Sequence, residues 1–324
     1  MIRAFLVALV GCTLLASGCA SRDSAVSMLE VKQAEQRAQD AQRKQAFDAA
    51  AAKARAGDAA AQRQLGEYYA TGRGTQIDPA KALHWYGAAA AQGDVEAEYR
   101  LGLLHDFGVG TPKDAHAAAQ WLQRAAQGGH VKAQRSLAEM FDDGRGVPKD
   151  PSAATHWYHE AAKQGDLDSQ KALAARYALG RGSPVNAAEA VVWYRAAAQQ
   201  GDAQAQYDLA LSYEMGIGVR PDVFEAERWY RQAADQGLLS AQFSLGTLYV
   251  RGGALHRDPI EAYKWLYLAA QAGYPGARRA IQQLERELSR RDIEDAEQLA
   301  AEWTKKYMKE RGVVTGDAAQ RSTP

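Results

Sequence analysis

Cysteine is almost absent from this chain of 324 residues: there are two, Cys12 and Cys19, both within the first nineteen positions. Beyond them there is no thiol nucleophile and no disulfide framework. No apolar run reaches the roughly 20 residues that a helix needs to span a bilayer. No excess of one charge exists either, since 39 Lys plus Arg balance 39 Asp plus Glu; without a basic field to attract phosphates, nucleic-acid binding is excluded as a main function. Proline is scarce, with 9 residues, while alanine is abundant, with 67. Alanine has the best helix propensity and lets helices approach closely, so the composition points to an all-α protein with enough apolar content, 47%, to fold rather than remain disordered.

The N-terminus reads as an export signal: the short positive start Met1-Ile2-Arg3, an apolar run of twelve from Ala4 to Leu15, and the small residues Ala16-Ser17-Gly18 before Cys19. Small residues directly before a cysteine resemble the bacterial lipobox. That resemblance implies cleavage after residue 18, acylation of Cys19 and, with Ala20 following, an outer-membrane anchor facing the periplasm. Leu9-Val10-Gly11-Cys12 fits the same pattern but leaves an apolar run of only about seven. A non-lipidated secretory signal cleaved near Ala20 is the other reading. The segment 19–56 then supplies anchor, polar helical stalk and an N-terminal half-repeat; 312–324, small and polar, reads as a disordered tail.

The organising feature is a period of 36 residues: Trp85, Trp121, Trp157, Trp193, Trp229 and Trp265 recur at that spacing, as do Leu65 to Leu245 and Gly93 to Gly273 in the same register. A fixed period of this length means a solenoid, propeller or array. Each unit divides into two helices. The first carries Leu65, Gly66 and Tyr69 at helical spacing and ends at Gly72 and Gly74; the second opens at Asp78-Pro79, a cap followed by a proline where no donor is needed, and ends at Gly93. Asp78, Asp114, Asp150, Asp222 and Asp258 repeat that cap, with Asn186 in the fourth unit. The spacing predicts that the tryptophans form core against small residues of neighbouring helices. Gly252-Gly253-Ala254 departs from Gly-x-Gly, so the sixth turn is expected to differ.

The pattern Ala-x3-Leu-Gly-x2-Tyr-x2-Gly-x-Gly, then Asp-x3-Ala-x2-Trp-Tyr-x2-Ala-Ala-x2-Gly, resembles the Sel1-like repeat, a relative of the tetratricopeptide repeat. The resemblance implies a right-handed α/α solenoid of six 36-residue helix-turn-helix repeats over 57–276, with starts near 61, 97, 133, 169, 205 and 241. A polar N-terminal helix would precede it and capping helices over 277–311 would close it, through the stripe Ile293, Ala296, Leu299, Ala300, Trp303 and Tyr307.

No catalytic constellation stands out: neither a Ser-x-x-Lys motif in the repeats nor a glycine-flanked serine elbow is present, and no cofactor is implied. His156 and His159 could share a metal, but the repeat equivalents of His156 are His84, Gln120, Val192, Arg228 and Lys264, a permissive solvated place, so no metal site is assigned. Variation inside the repeat marks another row, Arg63, Tyr99, Arg135, Lys171, Tyr207 and Phe243, two residues after each leading alanine, or after Ser169 in the fourth unit. In the family the first helices line the concave side of the superhelix, so Tyr99, Arg135, Lys171, Tyr207 and Phe243 become candidates for contacting a partner, with Glu67, Leu103, Glu139, Ala175, Leu211 and Thr247 four residues on. A merely solvated face is the competing reading; exposed Tyr99, Tyr207 and Phe243 would argue against it. The resemblance implies a non-enzymatic scaffold for a protein or peptide partner in envelope assembly or polysaccharide secretion, polysaccharide contact included. Other members of the family imply an immunity protein against an envelope-targeting toxin or, in a different class, a cell-wall or β-lactam hydrolase.

Overall fold

The structure, a computed structural model, describes residues 22–253 and 255–312, with side chains from Val31 onward. Cys12, Cys19 and the tail beyond Gly312 lie outside the described residues. Within them the chain forms fifteen helices and no strand. A long α1 (Arg22–Arg55) leads into the paired helices α2 (Ala59–Thr71) and α3 (Pro79–Ala90), α4 (Val95–Phe107) and α5 (Ala115–Gln127), α6 (Val131–Asp143) and α7 (Pro151–Lys163). The pairs continue as α8 (Leu167–Leu179) and α9 (Ala187–Gln199), α10 (Ala203–Met215) and α11 (Val223–Asp235), and α12 (Leu239–Arg251) and α13 (Pro259–Gln271). Then come the short α14 (Ala277–Leu284) and α15 (Arg290–Glu310). The architecture is an all-α solenoid of helical pairs. Two compact units are distinguished: one takes the described residues up to Ala97 with Gly108–Pro112, the other Glu98–Phe107 and everything from Lys113 on.

Local chemistry sets the helix ends. Asp78, Asp114, Asp150, Asn186, Asp222 and Asp258 each cap a second helix by accepting from backbone amides within the first turn, which satisfies donors that a helix start leaves open. The first helices stop at Gly72, Gly144, Gly180 and Gly216 in the left-handed conformation. Two residues on, a second glycine lets the turn touch the preceding repeat. At Gly182, with φ of 70°, a Cβ would lie 2.0 Å from the Pro151 carbonyl oxygen, so only glycine fits. The sixth turn differs as expected: Gly252 has φ 63° and ψ −132°, outside the left-handed helical region used by the others.

The half-repeat ahead of the first unit is the C-terminal part of α1. Its residues 31–46 are exposed, whereas Ala50, Ala51 and Ala54 are buried with Ala61, Leu65 and Tyr68, and the Phe47 ring meets Tyr69 edge-on at 5.5 Å. The second glycine of the first turn, Gly74, approaches the Arg43 carbonyl in the way that Gly110 approaches Pro79, one period later. The stalk expected over this segment is therefore solvated only up to its last turns.

The tryptophans depart from expectation. Trp85, Trp121 and Trp157 are half-buried; Trp193, Trp229 and Trp265 are 9%, 6% and 1% exposed. The deeper residue is often the next one: Tyr86, Leu122 and Leu266 are buried, and each lies over the small residue of its own repeat's first helix. A Cβ on Gly66, Gly102 or Gly246 would sit 2.8, 2.7 and 2.6 Å from Tyr86, Leu122 and Leu266 respectively. The residue after the indole, not the indole, fills the space the glycine leaves.

At the C-terminus α14 stops at Leu284, and α15 folds back onto α13. Ala296 and Ala300 are buried, Trp303 meets Trp265 edge-on at 5.9 Å, and its Nε1 donates to Asp235 at 3.1 Å. Tyr307 donates to the Gln236 carbonyl at 3.2 Å. These contacts cover the last repeat and explain why Trp265 is the most buried indole.

Candidate interaction surface

The row of varied residues on the first helices proves to be half-buried throughout, Tyr99, Tyr207 and Phe243 included. Each member reaches toward the residue 31 positions later, the N-cap place of the next first helix. Arg63 Nε donates to Asp94 at 2.9 Å, Arg135 to Asp166 at 3.1 Å and to Asp168 at 2.5 Å, and Lys171 to Asp202 at 2.7 Å. Where the cap is His130, Tyr99 stacks on it at 4.3 Å between centroids; where the place holds Tyr274, Phe243 meets that ring at 5.1 Å. Tyr207 and Leu238 pack on one apolar cluster, and Tyr207 tilts against Tyr230 at 5.6 Å. The chemistry is matched rung by rung, cation with Asp and ring with ring or aliphatic. The exposure expected of Tyr99, Tyr207 and Phe243 is corrected: a long side chain at this position spans the gap to the following repeat, and only its remaining surface is open to solvent.

A second ladder went unread in the sequence. Gln62, Gln134, Gln170 and Gln206, directly after the leading alanine (Ser169 in the fourth repeat), are buried, and each donates to a carbonyl eight residues earlier at 3.1–3.2 Å. Their Oε1 atoms accept at 2.8 Å from Gln92, Gln164, Gln200 and Gln236, thirty residues later. Its signal in the sequence is the recurrent Ala-Gln pair, Ser169-Gln170 in the fourth repeat. In the second repeat Glu98 takes the glutamine's place and Arg124 pairs with it at 2.9 Å.

What remains open on the first helices is the row four residues on: Glu67 and Glu139 are exposed, and Leu103, Ala175, Leu211 and Thr247 are half-buried. At the ends of α8 and α10 this row runs into Leu179 and Met215, 63% and 62% exposed. Beside it stands half-buried Asp208, which accepts from Gln204 at 3.2 Å. Burial raises its pKa above the ordinary carboxylate value, as it does for Glu139. His156 and His159 are not brought together with further ligands. Their rings meet Trp157 at 5.0 Å and Trp193 at 5.5 Å, and among the described residues no group of three or more His, Cys, Asp or Glu is placed to hold a metal. Nor is any described helix long and apolar enough to cross a membrane.

The profile of the Sel1 repeat matches six successive segments, 59–94, 95–130, 131–166, 167–202, 203–238 and 239–274, together two thirds of the chain. Among solved structures, a Sel1 repeat protein from Oxalobacter formigenes is 33% identical over 67% of this chain and 89% of its own, with a TM-score of 0.51. The protective antigen c5321 of uropathogenic Escherichia coli is 25% identical over 87% of this chain and 77% of its own, TM-score 0.36. Immunity protein Pa5087 of Pseudomonas aeruginosa is 20% identical over 74% and 83%, TM-score 0.33. No curated protein matched. Proteins built from such repeats are generally non-enzymatic binding scaffolds, and the match supports protein–protein interaction as the general role.

Proposed function

Since the chain belongs to the Sel1 repeat family, we propose that it is a non-enzymatic scaffold that holds a protein or peptide partner on the surface of its first helices, tethered by acyl chains on Cys19 to the outer membrane and facing the periplasm. One observation carries the binding reading. The polar side chains that recur are spent inside the fold, in the glutamine ladder and the rungs to the N-caps, whereas the row from Glu67 to Thr247 changes character from repeat to repeat, exposed at Glu67 and Glu139 and half-buried at the other four places. A surface that varies on a regular frame suits recognition. Tyr99, Arg135, Lys171, Tyr207 and Phe243 border that row and offer a partner the part of each side chain that the rung leaves uncovered. The anchor rests on the pattern before Cys19, and envelope assembly or polysaccharide export is the setting that fits it.

The test is affinity capture of the tagged full chain from detergent-solubilised envelopes, with cross-linking and mass spectrometry. A partner cross-linked to first-helix residues is expected; a partner cross-linked only to second helices, or none, would overturn the surface assignment. Fractionation of Cys19→Ser tests the tether, which fails if the variant stays in the outer membrane.

A further inference from the structure

The open face is not uniform. In α8 and α10 it is apolar: Ala175, Leu179, Leu211 and Met215 occupy places held by Glu67, Thr71, Glu139, Asp143, Thr247 and Arg251 in other repeats; α4 is apolar there too, with Leu103 and Phe107, but carries Arg100 at the place of Asp208. Leu179 and Met215 leave large apolar side chains open to water, area whose burial a partner would gain. The carboxylate next to them is unusual in turn. Acidic residues nearer the ends of first helices, α10 itself included, are matched by an arginine of the next repeat: Asp106 by Arg145, Asp142 by Arg176 and Glu214 by Arg251. Asp208 has no such ion pair, and the nearby cation, Lys171, is committed to Asp202 at 2.7 Å. Tyr194 stands within electrostatic reach of Asp208, and Tyr207 precedes it, so aromatic surface is available for the stem of a long cationic side chain.

We propose that this face of the fourth and fifth repeats seats a peptide segment of a partner in which one lysine or arginine, paired with Asp208, stands among apolar side chains covering Leu211, Met215 and Leu179. This rests on the scaffold reading above and gives it a location and a partner chemistry. A partially desolvated carboxylate without an internal cation is the complement of a single positive charge, and the ridge beside it excludes a purely hydrophilic ligand.

The experiment pans a random twelve-residue peptide library on phage against the detergent-solubilised full chain, then measures the enriched peptides by fluorescence anisotropy. Enriched peptides should share one Lys or Arg flanked by apolar residues. Their affinity should fall about tenfold or more in Asp208→Asn and in Met215→Ser, an exposed position at which folding is not at stake. Replacing the peptide's lysine by norleucine should weaken binding to the wild type but hardly to Asp208→Asn. No enrichment, enrichment without a basic residue, or affinities indifferent to both variants would overturn the proposal. So would binding to phosphatidylglycerol vesicles that Met215→Ser abolishes, which would assign the ridge to a membrane. If a partner is captured from envelopes while the peptides behave in any of these ways, this inference falls and the scaffold reading stands.

Discussion

Gln170 Oε1 accepts a 2.8 Å hydrogen bond from Gln200, whereas Gln242, at the same place two repeats later, stands thirty residues before Ala272 and its buried Oε1 accepts nothing. The sixth repeat thus lacks one bond that four others make. A buried acceptor left unmatched costs about 1–3 kcal/mol. Ala272→Gln supplies the missing donor at an exposed position and should stabilise the chain by about 1 kcal/mol. Urea denaturation reads this directly, and the same substitution in a Gln242→Leu background should give no gain; a gain there would mean that some other contact of the new side chain, not the hydrogen bond, is responsible.

The tryptophans give a second expectation. Trp265 is sealed by Trp303 and donates to Glu261 at 2.9 Å, while Trp157 is half-buried. Trp265→Ala should cost about 3–5 kcal/mol and Trp157→Ala about 1–2 kcal/mol, in proportion to the area each hides from water. Equal losses in denaturant midpoint would contradict the burial gradient.

Much of this was legible in the residues. The 36-residue period, the Asp-Pro starts and the glycine stops define the helices because they act locally, through caps and backbone freedom at positions such as Asp78 and Gly182. Which residue of the Trp-Tyr pair goes deeper was not legible, since spacing places both near one face and only the position of Gly66 against Tyr86 decides it. The rungs were misread for a similar reason: a helical wheel puts Arg135 about 200° from the periodic leucine, but it cannot show that Asp166 of the next repeat lies within reach. The isolation of Asp208 depends on which arginines commit themselves elsewhere, information that exists only once the repeats are stacked.

Swapping one rung for another tests the matched-pair account. Arg135→Ala removes the cation facing Asp166 and Asp168 and should destabilise by about 1 kcal/mol, near the upper end for a partly exposed pair. The double variant Arg135→Tyr with Asp166→His rebuilds the Tyr99–His130 rung and should be more stable than its two single losses sum to. Additive losses would show that the rungs are incidental contacts.

Asp208 provides the pH dependence. Burial raises its pKa in the folded chain, with Asp202 adding to the rise and the hydrogen bond from Gln204 and the charge of Lys171 opposing it. The folded state therefore binds more protons than the unfolded state between the two pKa values, so this group's contribution to stability falls as pH rises through that window. Asp208→Asn removes the ionisation while keeping an oxygen for Gln204 to donate to. The variant should melt higher than the wild type at neutral pH, and the difference should shrink as pH falls through that window, where the wild-type carboxylate takes up its proton. A difference that stays constant with pH would mean the carboxylate carries no desolvation cost. Asp208 would then gain nothing from desolvation by pairing with a partner's cation.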